Sequence, residues 1–246
     1  MQYSRNRIYI SEDEQQKLKT FKLFLAGCGI GSVIAECALR MGFEHITLVD
    51  GDRVEETNLN RQNYIHADIG MYKADSMARR LRSINPLAII STHNQYLTAE
   101  NMEALLAGHD AAINALDFQS DMPFAFDALC RQLNMPVLHP YNLGWAGLVF
   151  VLLPEGSLLE GIDPHYEGFE KKVVRRFIDS LGAASDSNAW LRKVLSDYEL
   201  EEGKLPPPQL SAASWLLGGL CADLLFRLAT GREVEPLPHF HFLSAR

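Results

Sequence analysis

Gly27, Gly29 and Gly31 alternate between an apolar run and a helix-forming stretch. Having no Cβ atoms, they let phosphate oxygens approach the backbone where a helix begins. Free N–H groups and the helix dipole favour anions there. Asp50 closes the next apolar run, Ile46-Thr47-Leu48-Val49, where an acidic side chain can accept from ribose hydroxyls. A glycine turn followed by Asp50 predicts a nucleotide site but does not separate NAD from ATP.

The segment after Asp52 makes that distinction. It reads Val54-Glu55-Glu56-Thr57-Asn58-Leu59-Asn60-Arg61-Gln62, with Lys73 near the start of a later helix. A dehydrogenase needs no Asn, Arg and Lys set here, whereas an enzyme that cleaves ATP between its α and β phosphates does. Arg61 and Lys73 would hold phosphate oxygens and offset charge growing on a leaving pyrophosphate. Asn58 would hydrogen-bond phosphate. Asp117, just past another apolar run, would bind Mg²⁺, which neutralises the triphosphate.

Alternating strand and helix patterns must position these residues. Strands are expected at 21–26, 46–49, 88–93, 110–116, 136–141 and 148–153. Helices are expected at 11–19, 30–41, 71–84, 98–107 and 122–133, with Gly42 closing the second and Thr98 capping the fourth. The order predicts an α/β fold: a Rossmann-like, doubly wound, mainly parallel sheet with helices on both faces. Ligands of such sheets bind beyond the carboxyl ends of the strands, and Asp50, Asp52 and Asp117 all follow strands.

The stretch 155–208 breaks the rhythm. It is charged and helical, at 169–181 and 188–198, and ends in Pro206-Pro207-Pro208. We expect a helical insertion over one edge of the sheet within a single domain spanning 1–246, then a long C-terminal helix over 209–230 and a short edge strand at 240–243. Trp215, Leu216, Leu220, Leu224 and Phe226 follow helical spacing as a core or dimer stripe. His239 and His241 share a strand face without a third metal ligand, and Lys171, Lys172, Arg175 and Arg176 read as a solvated basic face.

With 246 residues, 47% hydrophobic and 22% charged, the chain has an ordinary globular composition. A net charge of −8 disfavours nucleic acid as a partner. The cysteines, Cys28, Cys37, Cys130 and Cys221, form no CxxC pair, which argues against a tetrathiolate zinc site or a disulfide framework and for a cytoplasmic setting. No signal-peptide core is expected in the first residues, and the apolar stretch 210–222 is too short to span a membrane.

Gly27-x-Gly29-x-Gly31-Ser32, Val49-Asp50-x-Asp52-x-Val54, Asn58-Leu59-x-Arg61-Gln62, Lys73 and Asn85-Pro86 together resemble the ThiF/MoeB/HesA family, bacterial relatives of ubiquitin-activating enzymes. Tyr3-Ser4-Arg5-Asn6 resembles that family's N-terminal signature. The resemblance runs over about 3–153 and again over 209–230. It implies adenylation of a carboxylate with ATP and Mg²⁺, releasing pyrophosphate. The substrate would be the C-terminus of a ubiquitin-like or sulfur-carrier protein or of a peptide. By the same resemblance Asp50 binds ribose, Asp52 and Gln62 line the nucleotide site, Arg61 and Lys73 bind phosphates, and Asp117 is linked to magnesium. Arg5 would be an arginine supplied across a homodimer interface.

The chain departs from the family at Ile30, where many members have Gly, and at Phe118, where Asn is frequent, so that Phe118 is expected to alter the metal or adenine environment. Gln2 and Asn6 also depart from the N-terminal signature. No cysteine occurs in 131–220, so adenylation is expected without a transfer cysteine. Three rivals share parts of the pattern. A tRNA threonylcarbamoyladenosine dehydratase shares the fold, but the acidic charge disfavours it. An NAD-dependent oxidoreductase is opposed by Asn58, Arg61 and Lys73. A non-catalytic partner subunit is opposed by the presence of Arg61, Lys73 and Asp117.

Overall fold

The computed structural model describes residues 2–181, 189–201 and 205–246. Seven strands form one sheet: β1 (Lys22–Ala26), β2 (His45–Val49), β3 (Ile89–His93), β4 (Ala111–Asn114), β5 (Val137–Asn142), β6 (Ala146–Leu152) and β7 (His241–Ser244), in the order β3-β2-β1-β4-β5-β6-β7. The first five are parallel, while β6 and β7 add antiparallel pairs. The doubly wound, mainly parallel sheet expected from the sequence is present, with β7 as an edge strand.

Alternate side chains of each strand enter different cores. Leu23, Leu25, Ile46 and Leu48 pack with α2 (Gly31–Met41), α3 (Lys73–Ile84) and α8 (Ser211–Thr230). Phe24, Ala26 and Val49 join the other core, with α4 (Met102–Leu106), α5 (Met122–Gln132) and α6 (Phe169–Ser180). Burial on both faces explains why these strands read as continuous apolar runs. In β6, a Cβ on Gly147 would stand 2.8 Å from Leu217 Cγ, so the glycine lets α8 lie close on the sheet.

Local signals placed several boundaries. Helix α1 (Glu12–Thr20) starts at a reciprocal capping box of Ser11 and Glu14. Gly42, at φ 124°, ends α2, and Gly231, in the left-handed region, ends α8. Other boundaries moved. Helix α4 is only Met102–Leu106, and Asn101, not Thr98, occupies its N-cap position: the Asn101 side chain accepts from the Thr98 backbone N–H, which makes a turn ahead of the helix. Met71 and Tyr72 lie outside α3, because Val54 N–H donates to Met71 O and Arg53 bridges Tyr72. Helix α8 begins at Ser211, leaving Gln209 outside it.

Helix α6 packs Phe169, Val173 and Phe177 onto the face shared with Phe124 and Phe150. Helix α7 (Ala189–Leu200) lies against α6. The basic residues of α6 are mostly paired: Lys172 with Asp163, Arg175 with Glu199, and Lys171 over the Tyr198 ring. The acidic run at 199–202, which its composition predicts as a solvated face, lies partly outside the described residues. Of the helical stripe, Leu224 and Phe226 are core, whereas Trp215 is 56% exposed and is not. Ser211–Thr230 has the length and composition to cross a membrane, yet it packs against α2, β5 and β6 as an element of this fold.

Candidate active site

Ala26 pairs with Val49 on one side and Asn114 on the other. The exits of β2, β1 and β4 are therefore level, and the sheet order reverses between β1 and β4. This is the topological switch point at which such sheets bind ligands. It brings Gly27, Asp50 and the loop carrying Asp117 together from three separate parts of the chain.

The glycine turn is tightly fitted. Gly27 has φ 93°, and a Cβ there would lie 2.5 Å from Ala115 O. Gly29 faces the Gln62 amide, and Gly31 opens α2. Ser32 Oγ donates to Gly29 O at 2.7 Å. Asp50, expected at the ribose, accepts Cys28 N–H at 2.6 Å and Asp52 N–H at 2.7 Å, so its carboxylate clamps the turn to the exit of β2. Burial raises its pKa, opposed by the Lys73 charge and these two bonds. A carboxylate has lone pairs beyond those two, so a ribose contact stays open to it.

Lys73 is buried, and its ammonium lies 2.8 Å from Asp52 Oδ2. The other oxygen of Asp52 accepts from Tyr96 OH at 2.7 Å. Burial raises the Asp52 pKa, but the bonds from Lys73 and Tyr96 outweigh it and hold the group below its ordinary value. Asp52, expected at the nucleotide, thus holds the lysine. The Tyr96 ring lies over Gly51, whose Cβ would be 2.8 Å from it.

Arg61 occupies a turn without regular structure. Asn58 organises that turn by accepting Glu55 N–H at 2.9 Å through its side-chain oxygen, which leaves only its amide nitrogen for a phosphate. Arg61 Nη1 donates to Thr57 O at 2.9 Å and Asn60 Oδ1 at 2.8 Å, and its Nε donates to Gln209 Oε1. Gln62 Oε1 is buried with no partner among the described residues, an acceptor left open beside the glycine turn. Beyond Gln62 the chain is riveted down: Asn63 N–H donates to Ser32 Oγ at 3.0 Å, and Asn63 Nδ2 donates to buried Glu36 at 2.6 Å. Arg80 and Arg40 also bind Glu36. Tyr64 OH donates to Cys28 O at 2.7 Å.

Asp117 reaches solvent at the rim. Desolvation by its surroundings raises its pKa, with Asp52 adding to the rise and Lys73 and Arg61 opposing it, so Asp117 lies within the field of the other three. Asn114 supports the loop, accepting Leu116 N–H at 3.3 Å and donating to Asp127 at 2.9 Å. Phe118 does not face the site. It is buried between Phe124 and Phe169, which corrects the expectation that it changes the metal or adenine environment.

Arg5 is not with the others. It is exposed on a short helical turn, Ser4–Asn6, and Asn6 Nδ2 beside it donates to Met41 O at the end of α2. That is the amino end of the sheet, opposite the site. The cysteines are poorly placed for nucleophilic work. Cys28, Cys130 and Cys221 are buried, Cys37 is half-buried, and burial raises all four thiols above their ordinary pKa. His239 and His241 lie 5.1 Å apart between ring centres, and no cluster of three metal-ligating side chains occurs among the described residues.

Sequence reasoning did not find Tyr96 or Gln209. Each had a faint signal: an aromatic residue just past a strand, and a polar residue between a triproline and an apolar helix.

The sequence model of the ThiF family matches residues 3–245. The chain is 37% identical over 114 residues to the tRNA threonylcarbamoyladenosine dehydratase of Escherichia coli, covering 45% of this chain and 41% of that protein. It is 32% identical over 158 residues to the sulfur carrier protein ThiS adenylyltransferase of Bacillus subtilis, covering 62% and 47%. It thus matches less than half the length of either relative. Among solved structures, E. coli MccB with ATP superposes with a TM-score of 0.71 at 18% identity, over 99% of this chain and 71% of the other, a likeness of fold.

Proposed function

The chain belongs to the ThiF family, and from that premise we propose that it is an ATP-dependent adenylyltransferase acting on a terminal carboxylate. The supporting observation is the convergence of Lys73, Arg61 and Asp117 around the glycine turn at the switch point. A cradle without side chains, two cations and one carboxylate suit a polyphosphate better than a dinucleotide.

The nucleophile belongs to the substrate. A carboxylate oxygen attacks the α-phosphorus, the bond to the bridging oxygen breaks, and pyrophosphate leaves with its electron pair. The products are an acyl-adenylate and pyrophosphate. Arg61 and Lys73 offset the charge that grows on the leaving group, and the backbone N–H groups opening α2 hold phosphate oxygens. Asp50 accepts from ribose, while Asn58 and Gln62 offer amides. Asp117 would hold Mg²⁺, whose charge would offset that of the triphosphate. A single protein carboxylate suits Mg²⁺, which is usually held by one or two carboxylates, phosphates and water.

The substrate we propose is the C-terminus of a small carrier protein or peptide. A relative named as a ThiS adenylyltransferase supports this, and the net charge of −8 weighs against tRNA. With its thiols mostly buried and raised by burial above their ordinary pKa, the activated acyl group passes to another molecule. The enzyme works as a homodimer in the cytoplasm. Arg5 lies at the far end of its own sheet, which supports a role at the site of a second copy. Ile8 and Tyr9 beside it, 93% and 84% exposed, offer apolar contact for that copy.

ATP–pyrophosphate exchange tests this reading. Exchange should appear when the right carboxylate is supplied and vanish in Asp117→Ala. Tight NADH binding with no ATP binding would overturn it.

A further inference from the structure

Among the described residues, Arg61 donates to neutral acceptors. Nε donates to Gln209 Oε1, and Nη1 donates to Thr57 O and Asn60 Oδ1. Among the described residues no carboxylate stands within ion-pair distance of it, and none accepts a hydrogen bond from Nη2. Lys73 is treated differently, with its ammonium against the Asp52 carboxylate. A guanidinium fixed by neutral oxygens has no carboxylate directly against it and keeps its Nη2 donors for an anion. A carboxylate at the same place would offset part of its charge and compete for those donors.

The Gln209 acceptor is itself held in place. Pro206, Pro207 and Pro208 precede it with restricted φ. Leu210 follows, with its carbonyl bonded to Asn142 Nδ2 at 2.9 Å, and the same nitrogen donates to Ser214 Oγ at 3.0 Å. Gln209 O accepts from Asn60 Nδ2 at 3.3 Å, a second tie to the Arg61 turn. Gln209 is only half-buried and takes no part in either core.

We propose that Gln209 is a positioning residue for nucleotide binding: its uncharged amide oxygen aims the Arg61 guanidinium at the triphosphate without neutralising it. This rests on the adenylation reading and adds that the C-terminal segment completes the phosphate site.

The test is ATP binding by titration calorimetry to the full chain, with wild type, Gln209→Glu and Gln209→Ala. Gln209→Glu is nearly isosteric and keeps an acceptor at the same place, so a purely structural residue would tolerate it. The expected result is a thermal midpoint without nucleotide equal to or above wild type, and ATP affinity weakened by about tenfold or more. Gln209→Ala should weaken ATP by about two- to fivefold, the size of one neutral hydrogen bond. If Gln209→Glu folds and binds ATP as wild type does, the inference is overturned while the adenylation reading stands. If wild type itself binds no ATP, both fall.

Discussion

The ring of Phe118 stacks on that of Phe169, with centroids 4.5 Å apart and planes 28° from parallel. Phe124 meets both rings edge-on, at 5.4 Å and 5.0 Å. Phe118 directly follows Asp117, and Phe169 is the first residue of α6. The stack therefore ties the loop of the proposed metal carboxylate to the helical stretch that breaks the α/β rhythm. Phe118→Ala should cost about 3 kcal/mol in urea unfolding, from lost burial and the cavity left behind. Pyrophosphate exchange should fall further than stability accounts for, because the Asp117 loop loses its anchor. Exchange at the wild-type rate per folded molecule would count against that coupling.

Asp52 joins Lys73 to Tyr96, and its loss would leave a buried ammonium without its partner. Asp52→Asn should reduce exchange by about tenfold, since the contact that holds the buried Lys73 ammonium in position is weakened. Tyr96→Phe removes one hydroxyl from an exposed ring and should reduce exchange by less than about fivefold, with stability unchanged within about 0.5 kcal/mol. Lys73→Ala should abolish exchange. A Tyr96→Phe loss as large as that of Asp52→Asn would contradict this ordering.

Two glycines of the turn should respond differently to alanine. At Gly27 the φ of 93° and the 2.5 Å approach to Ala115 O leave no room for a Cβ. Gly27→Ala should destabilise by more than about 2 kcal/mol or prevent folding. At Gly31 the nearest neighbour would be Leu25 Cδ2 at 3.5 Å, an ordinary contact. Gly31→Ala should fold, so calorimetry with ATP can read its nucleotide role apart from its structural one.

Glu36 is buried, and burial alone would raise its pKa. Hydrogen bonds from Arg80, Asn63 and Arg40 outweigh that and bring it below the ordinary value. A carboxylate lowered by folding stabilises the folded state at pH above its unfolded pKa, and that contribution is lost as pH falls through the lower folded value. Glu36→Gln should therefore cost about 2 kcal/mol near neutrality. The cost is moderated because the Arg80 and Arg40 side chains remain 37% and 57% exposed. The difference from wild type should shrink as pH drops below the glutamate range. Urea midpoints measured across pH would expose a constant difference, which would contradict this origin.

Much of the fold was legible in the sequence because it rests on local rules. Apolar runs such as 46–49 mark strands buried on both faces. The Ser11–Glu14 capping box and the glycines at 42 and 231 mark helix ends, and Gly27, Gly29 and Gly31 mark a phosphate-sized turn. The types and order of Asp50, Asn58, Arg61, Lys73 and Asp117 were enough to expect ATP chemistry and the ThiF family. What each side chain does was decided by partners far away in the chain. Asp52 turns to Lys73, Phe118 turns inward to meet Phe169, and Gln209 reaches Arg61 across 148 residues. Spacing encodes periodicity and local hydrogen bonds, so it reports the elements. Only their packing puts one element's acceptor beside another's guanidinium, and that contact sets whether the charge is kept or neutralised.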